Sequence, residues 1–145
     1  MNVNPIHFHL RGRVVLVVGG DDILAPALRV LLGAGAFVRI VSKSAGDAVQ
    51  DAFRSGCGIW ERREFAPRDL HQAALAVVAT GDDARDLAAA RAARAARVPV
   101  ALPGLPELSD FTLALPVRGA PDVSPRAEIA RSPSSYAVSD ESSAT

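Results

Sequence analysis

The apolar residues fall into short unbroken runs separated by amphipathic stretches. Arg13 to Val18 reads RVVLVV, the pattern of a strand covered on both faces, as in a parallel sheet. Gly19-Gly20 ends the run. Leu24, Leu28, Leu31 and Leu32 then recur at helical spacing, which predicts a helix with one stripe against the sheet. Gly35 is placed to stop it. Phe37 to Val41, FVRIV, predicts a second strand.

The alternation continues down the chain. Ala45 to Ser55 predicts a short helix, and Gly58 to Glu64, which carries charge, a strand near an edge. Leu75 to Ala79 is another buried run, Asp83 to Ala96 an Ala- and Arg-rich helix, and Val98 to Leu102 a fifth strand. Alternating strands and helices predict the α/β class. Right-handed crossovers make a doubly wound, Rossmann-like parallel sheet the expected topology. After residue 102, prolines at 103, 106, 116, 121, 125 and 133 break any long helix, and Phe111 to Val117 offers one more strand. The end, SPSSYAVSDESSAT, is small and polar, the composition of a disordered tail. The expected organisation is one nucleotide-binding-type domain over residues 1–119 and a tail over 120–145.

Composition narrows the function classes. The chain has 145 residues, 49% hydrophobic and 22% charged, enough for a real core in one domain. Sixteen basic residues balance sixteen acidic ones, so no net field draws the protein to nucleic acid or an anionic membrane. Aromatics are 5%, which argues against base stacking as its main business. The single cysteine, Cys57, excludes an internal disulfide and a Cys-rich zinc site. Neither a secretory signal nor an apolar run of about 20 residues is evident. The expectation is a soluble cytoplasmic protein.

The candidate chemistry lies between the first strand and helix, where doubly wound folds carry a Gly-rich phosphate-binding turn. The stretch here is Gly19, Gly20, Asp21, Asp22, Ile23, Leu24. Asp21 stands where the backbone must approach the phosphates, and Leu24 where a small residue usually lets helix and strand pack. Pro26 favours the start of a helix and would delay the helix relative to the fingerprint. Asp21 or Asp22 has a second reading, as the helix start's own anion. After the second strand no carboxylate awaits a ribose. Ser42 is a hydrogen-bonding substitute and Lys43 a phosphate partner, or the two belong to an ordinary loop.

Several segments in order resemble the N-terminal, precorrin-2 dehydrogenase part of siroheme synthases. They are NPIHFHLRGRVVLVVGG, LLGAGAFVRIVS, IWERREFAPRDL, VVATGDD and AARAARVPVALPGLPELSDFTLALPVRG, with the block around Trp60 the most specific. The resemblance covers roughly residues 4 to 119. It implies NAD-dependent oxidation of precorrin-2, a tetrapyrrole, to sirohydrochlorin. Many members also insert ferrous iron, and they work as dimers, so it implies a homodimer too. Gly19 and Gly20 are kept from the family's cofactor turn, whose next positions are taken by Asp21, Asp22 and Ile23, with Ser42 and Lys43 along the cofactor's edge. Ala79-Thr80 match its A-T motif, followed by Asp82. The family's catalytic aspartate falls on Gly104, which has no titratable group. Asp110, in the retained SDFT segment, is the nearby carboxylate available as a substitute. The family's helical dimerisation part is replaced here by the polar tail, which counts against iron insertion. The departures at Asp21, Leu24, Pro26 and Gly104 also fit a non-catalytic relative that keeps the fold and binds a partner or tetrapyrrole.

Other features have ordinary readings. His7 and His9 share a face if extended but lack a third ligand for a metal. Arg91, Arg94 and Arg97 make a basic stripe or a solvated helix face, and of Arg62 and Arg63 one is expected in solvent. Cys57, between two glycines, reads as an unreactive thiol, and Trp60 as packing.

Overall fold

Why the strands read as continuous apolar runs is clear from their two sides. The computed structural model describes residues 4–54 and 56–113, and every element named below lies in the unit His9–Leu115. In β1 (Val14–Val18), Val15 and Val17 enter one core, while Leu16 and Val18 enter the other. Successive side chains on a strand point to opposite faces, so a strand with a core on each side must be apolar throughout.

The other strands are β2 (Phe37–Val41), β3 (Gly58–Glu61), β4 (Leu75–Val78) and β5 (Val100–Ala101). Their order is β3-β2-β1-β4-β5 and every pairing is parallel. Chain direction across the sheet reverses between β1 and β4, where doubly wound folds open a crevice at the carboxyl ends of the strands. The expected fold class is therefore the observed one, and β3 is an edge strand as its charge suggested.

Helices α1 (Ala25–Gly33) and α2 (Asp47–Arg54) cover one face. Leu24, Leu28 and Leu31 precede or line α1 and are fully buried with Val49 and Ala52 of α2. Helix α3 (Asp83–Ala95) covers part of the other face through Ala89, Ala90 and Ala93. Small alanines let this helix lie close to the sheet. Over β2 and β3 that face has no helix among the described residues. The connection from β3 to β4 carries only a 3₁₀ turn, Pro67–Leu70.

The elements are shorter than the sequence pattern predicted at several ends. β3 stops at Glu61, so Arg62 and Arg63 follow the strand instead of alternating on it. β5 spans two residues, and Phe111 to Leu113 form no strand. The rest of that expected strand, and the expected tail, lie outside the described residues. Among the described residues no helix is long and apolar enough to cross a membrane.

Leu28 is wholly buried under the sheet. Leu28→Ala is expected to cost about 2–5 kcal/mol, read as a lower urea midpoint with an unchanged slope.

Candidate functional site

The glycine turn sits at the carboxyl end of β1, at the crevice. Gly19 has φ of +106°, a left-handed conformation that glycine adopts without strain. A Cβ there would lie 2.1 Å from the Ala79 carbonyl oxygen, and one on Gly20 would lie 2.0 Å from that of Ser44. Gly19-Gly20 thus runs between the ends of two neighbouring segments, the residues after β4 and the loop after β2. Hydrogen bonds tie it to both: Asp21 N–H donates to the Ala79 carbonyl at 3.4 Å, and Gly46 N–H to the Gly20 carbonyl at 2.9 Å.

The helix does start late. A 3₁₀ turn, Asp22–Leu24, intervenes, and α1 begins only at Ala25 with Pro26 in its first turn. Asp21 caps that 3₁₀ turn, its Oδ1 accepting from Ile23 N–H at 3.1 Å. Asp22 turns to the other helix, where its Oδ1 accepts from Val49 N–H in the first turn of α2 at 3.3 Å. Both aspartates therefore serve helix starts, one of them a helix the sequence did not connect to it. Ile23 is exposed beside them.

Ser42 and Lys43 follow β2. The Ser42 hydroxyl donates to the Ser44 carbonyl at 2.6 Å, and Lys43 Nζ lies 3.9 Å from Glu64 Oε1. Thr80 is engaged by Asp86, a buried residue of α3. Asp86 Oδ1 accepts from Thr80 N–H at 2.8 Å and from its hydroxyl at 2.6 Å. Asp82 caps α3 by accepting from Ala84 N–H at 2.9 Å. Gly19, Gly20, Asp21, Ala79 and Thr80 are thus brought together at the crevice, with Ser42 and Lys43 at its β2 side.

Asp110 lies along β5. Its backbone N–H donates to the Val100 carbonyl at 2.8 Å, its Oδ2 accepts from Val100 N–H at 3.1 Å, and its Oδ1 is 3.2 Å from Arg94 Nε. Arg94 also donates to the Leu108 carbonyl. Arg94 is thereby drawn out of the expected Arg91–Arg94–Arg97 stripe. Gly104 follows β5 on its carboxyl side; it is exposed, and a Cβ there would meet nothing within 4 Å.

The residues that follow Trp60 form a second polar centre on the α3 side of the sheet, whereas Trp60 itself packs against the core beneath α1 and α2. Arg63 grips Asp69 with both terminal nitrogens, Nη1 reaching Oδ2 at 2.9 Å and Nη2 reaching Oδ1 at 2.5 Å. It also meets Glu61 Oε1 at 2.9 Å, while Arg39 of β2 meets Glu61 Oε2 at 2.7 Å. Ala66 N–H donates to Asp69 Oδ2 at 2.8 Å. Burial drives the Asp69 carboxyl upward, but Arg63, the Ala66 amide and the charge of Arg39 outweigh it and leave its pKa below the usual 3.8. Hydrogen bonds from Arg39 and Arg63 lower Glu61 as well. Arg62 stacks over the Trp60 ring at 4.3 Å, and Trp60 Nε1 donates to the Ser42 carbonyl at 3.1 Å. The spacing of Arg63, Pro67 and Asp69 was visible in the sequence; its use as a clamp over β2 was not.

Residues 6–115 match the family model NAD_binding_7, described as "Putative NAD(P)-binding". The chain belongs to this NAD(P)-binding family. Among curated proteins it is similar to siroheme synthases, 36% identical to that of Azotobacter vinelandii and 34% to that of Stutzerimonas stutzeri, each over 108 residues. These matches take in 74% of this chain and 23% of each relative, so the chain spans about a quarter of the length of the curated relatives it matches. Its fold is similar to a solved structure named "SirC, precorrin-2 dehydrogenase", with a TM-score of 0.59 and 23% identity, over 96% of this chain and 72% of that one. The resemblance to the N-terminal part of siroheme synthases thus holds within the NAD(P)-binding family.

Asp69 generates a pH prediction. A carboxylate held below its unfolded pKa stabilises the fold above that unfolded value, near 4, and the gain is lost as pH falls through the folded pKa. Asp69→Asn is expected to lower stability by about 3 kcal/mol at pH 7. The gap to wild type should narrow as pH falls from about 5 to 2, measured by urea unfolding across that range. A gap independent of pH would show that Asp69 carries no such linkage.

Proposed function

We propose that this chain serves siroheme biosynthesis as a tetrapyrrole-binding relative of the precorrin-2 dehydrogenases that does not itself oxidise precorrin-2. Its similarity to siroheme synthases and the likeness of its fold to a precorrin-2 dehydrogenase support the pathway. One observation carries the loss of chemistry. At the carboxyl end of β5, where the family resemblance puts a catalytic aspartate, the chain has Gly104, with open space around it. A proton transfer needs a titratable group within hydrogen-bond reach of the moving proton. The nearby carboxylate, Asp110, has one oxygen on the Val100 amide and the other beside Arg94.

The alternative is a working NAD-dependent precorrin-2 dehydrogenase with Asp110 as its acid or base. Membership of an NAD(P)-binding family and the retained glycines at the crevice favour it. In that case Asp110 must leave Arg94 during turnover.

The test is direct. The purified protein is titrated with sirohydrochlorin, followed by absorption, and separately incubated with precorrin-2 and millimolar NAD. The proposal expects a saturable absorption shift and no sirohydrochlorin formed above the uncatalysed rate. Turnover by the wild-type chain, abolished in Asp110→Ala, would establish the alternative. Absence of any absorption shift would overturn tetrapyrrole binding.

A further inference from the structure

The crevice between β1 and β4 is the place where this fold receives a pyrophosphate, held by free backbone amides at the start of a helix. Here the amides of residues 23 to 25 are already used. Ile23 N–H donates to Asp21 Oδ1, Leu24 N–H to the Asp21 carbonyl and Ala25 N–H to the Asp22 carbonyl. The next residue, Pro26, has no N–H. From residue 23 to residue 26 the helix start therefore offers no free donor. It also carries a negative charge of its own. The Asp21 carboxylate reaches toward the loop after β4, its Oδ2 standing 3.5 Å from where a Gly81 Cβ would be.

At the adjoining side, the end of β2, donors are engaged as well. Gly46 N–H donates to the Gly20 carbonyl, and the Ser44 carbonyl lies so near Gly20 that no Cβ fits between them. The Asp22 carboxylate rests on Gly46 and accepts from Val49 N–H. The Ser42 hydroxyl is spent on the Ser44 carbonyl. The residues present thus do not fit a dinucleotide, although the fold and family do.

We propose that the two aspartates of this turn are built-in substitutes for the cofactor: Asp21 holds the phosphate seat with its own carboxylate, and Asp22 latches the loop after β2 across the neighbouring side. The chain accordingly binds neither NAD nor NADP at micromolar concentrations, and Asp21 is the removable part of the block. This deepens the non-oxidising reading above and rests on it, but it concerns the nucleotide alone and not the proton transfer.

The magnitude follows from Coulomb's law. Unit charges about 4 Å apart in an effective dielectric near 20 repel enough to weaken binding by about a thousandfold. Solvent around an exposed carboxylate reduces this, so about ten- to a thousandfold is expected. Asp21→Gly removes the charge and restores a glycine where the phosphates must approach. Asp21→Asn removes the charge while keeping a good cap, which guards against a variant that fails to fold.

The full chain, wild type and the two variants, is titrated calorimetrically with NAD and with NADP up to 5 mM, a range set at roughly a thousand times a micromolar affinity. No saturable binding is expected for wild type. A gain of about tenfold or more in at least one variant, for at least one nucleotide, supports the inference. Wild-type binding in the micromolar range overturns it, and so does the absence of any gain in both variants. Neither result touches the Gly104 argument, which stands or falls on sirohydrochlorin formation.

Discussion

The centre of this molecule is a steric constraint at the end of β1. Gly19 and Gly20 pass between two neighbouring chain segments whose carbonyls lie where side chains would have to go. Because Gly19 fits against Ala79, β4 can run beside β1 to its end. Because Gly20 fits against Ser44, the loop after β2 can fold back over the turn. The position of α2, the fold-back of the loop after β2 and the capping roles of both aspartates all follow from that close approach. The same two glycines would let a phosphate approach the backbone in a cofactor-binding relative. In this chain they accommodate the protein's own backbone.

The fold was legible because its signals are periodic. A strand with a core on each side must be apolar at every position, and VVLVV and LAVV are. Helix α1 showed its leucine stripe, and Pro26 announced the delayed helix start that the structure contains. The ends of elements were less legible. Arg62 and Arg63 look like strand residues until the pull of Asp69 on Arg63 is known, and that pull comes from six residues away.

The site was legible in position and less so in wiring. The glycine turn and the loop after β2 were found from spacing, and Ala79-Thr80 from the family resemblance. Asp21 as a cap was among the readings the sequence offered. Asp22 on Val49, Asp86 on Thr80 and Asp110 on Val100 were not, since each joins residues whose nearness only the folded chain creates. The retained Trp60 block has a comparable explanation. It fastens a crossover that carries only a 3₁₀ turn onto β2 with charge, beside the apolar packing of Leu70, so its residue types are those of a clamp.

One contact has a consequence for how this sequence can vary over generations. The Asp22 carboxylate occupies the space above Gly46, only 2.1 Å from where a Cβ there would be. The two positions are therefore interlocked: a larger residue at 46 displaces the carboxylate, and a lineage that exchanges Asp22 releases the constraint on Gly46. Once 46 has acquired a side chain, a reversal at 22 restores the carboxylate only in another rotamer, away from its place above residue 46. Asp21 has no such counterpart, since its carboxylate faces the open crevice. The pair of adjacent aspartates thus combines a position that varies alone with one whose latch on the loop after β2 depends on the residue at 46.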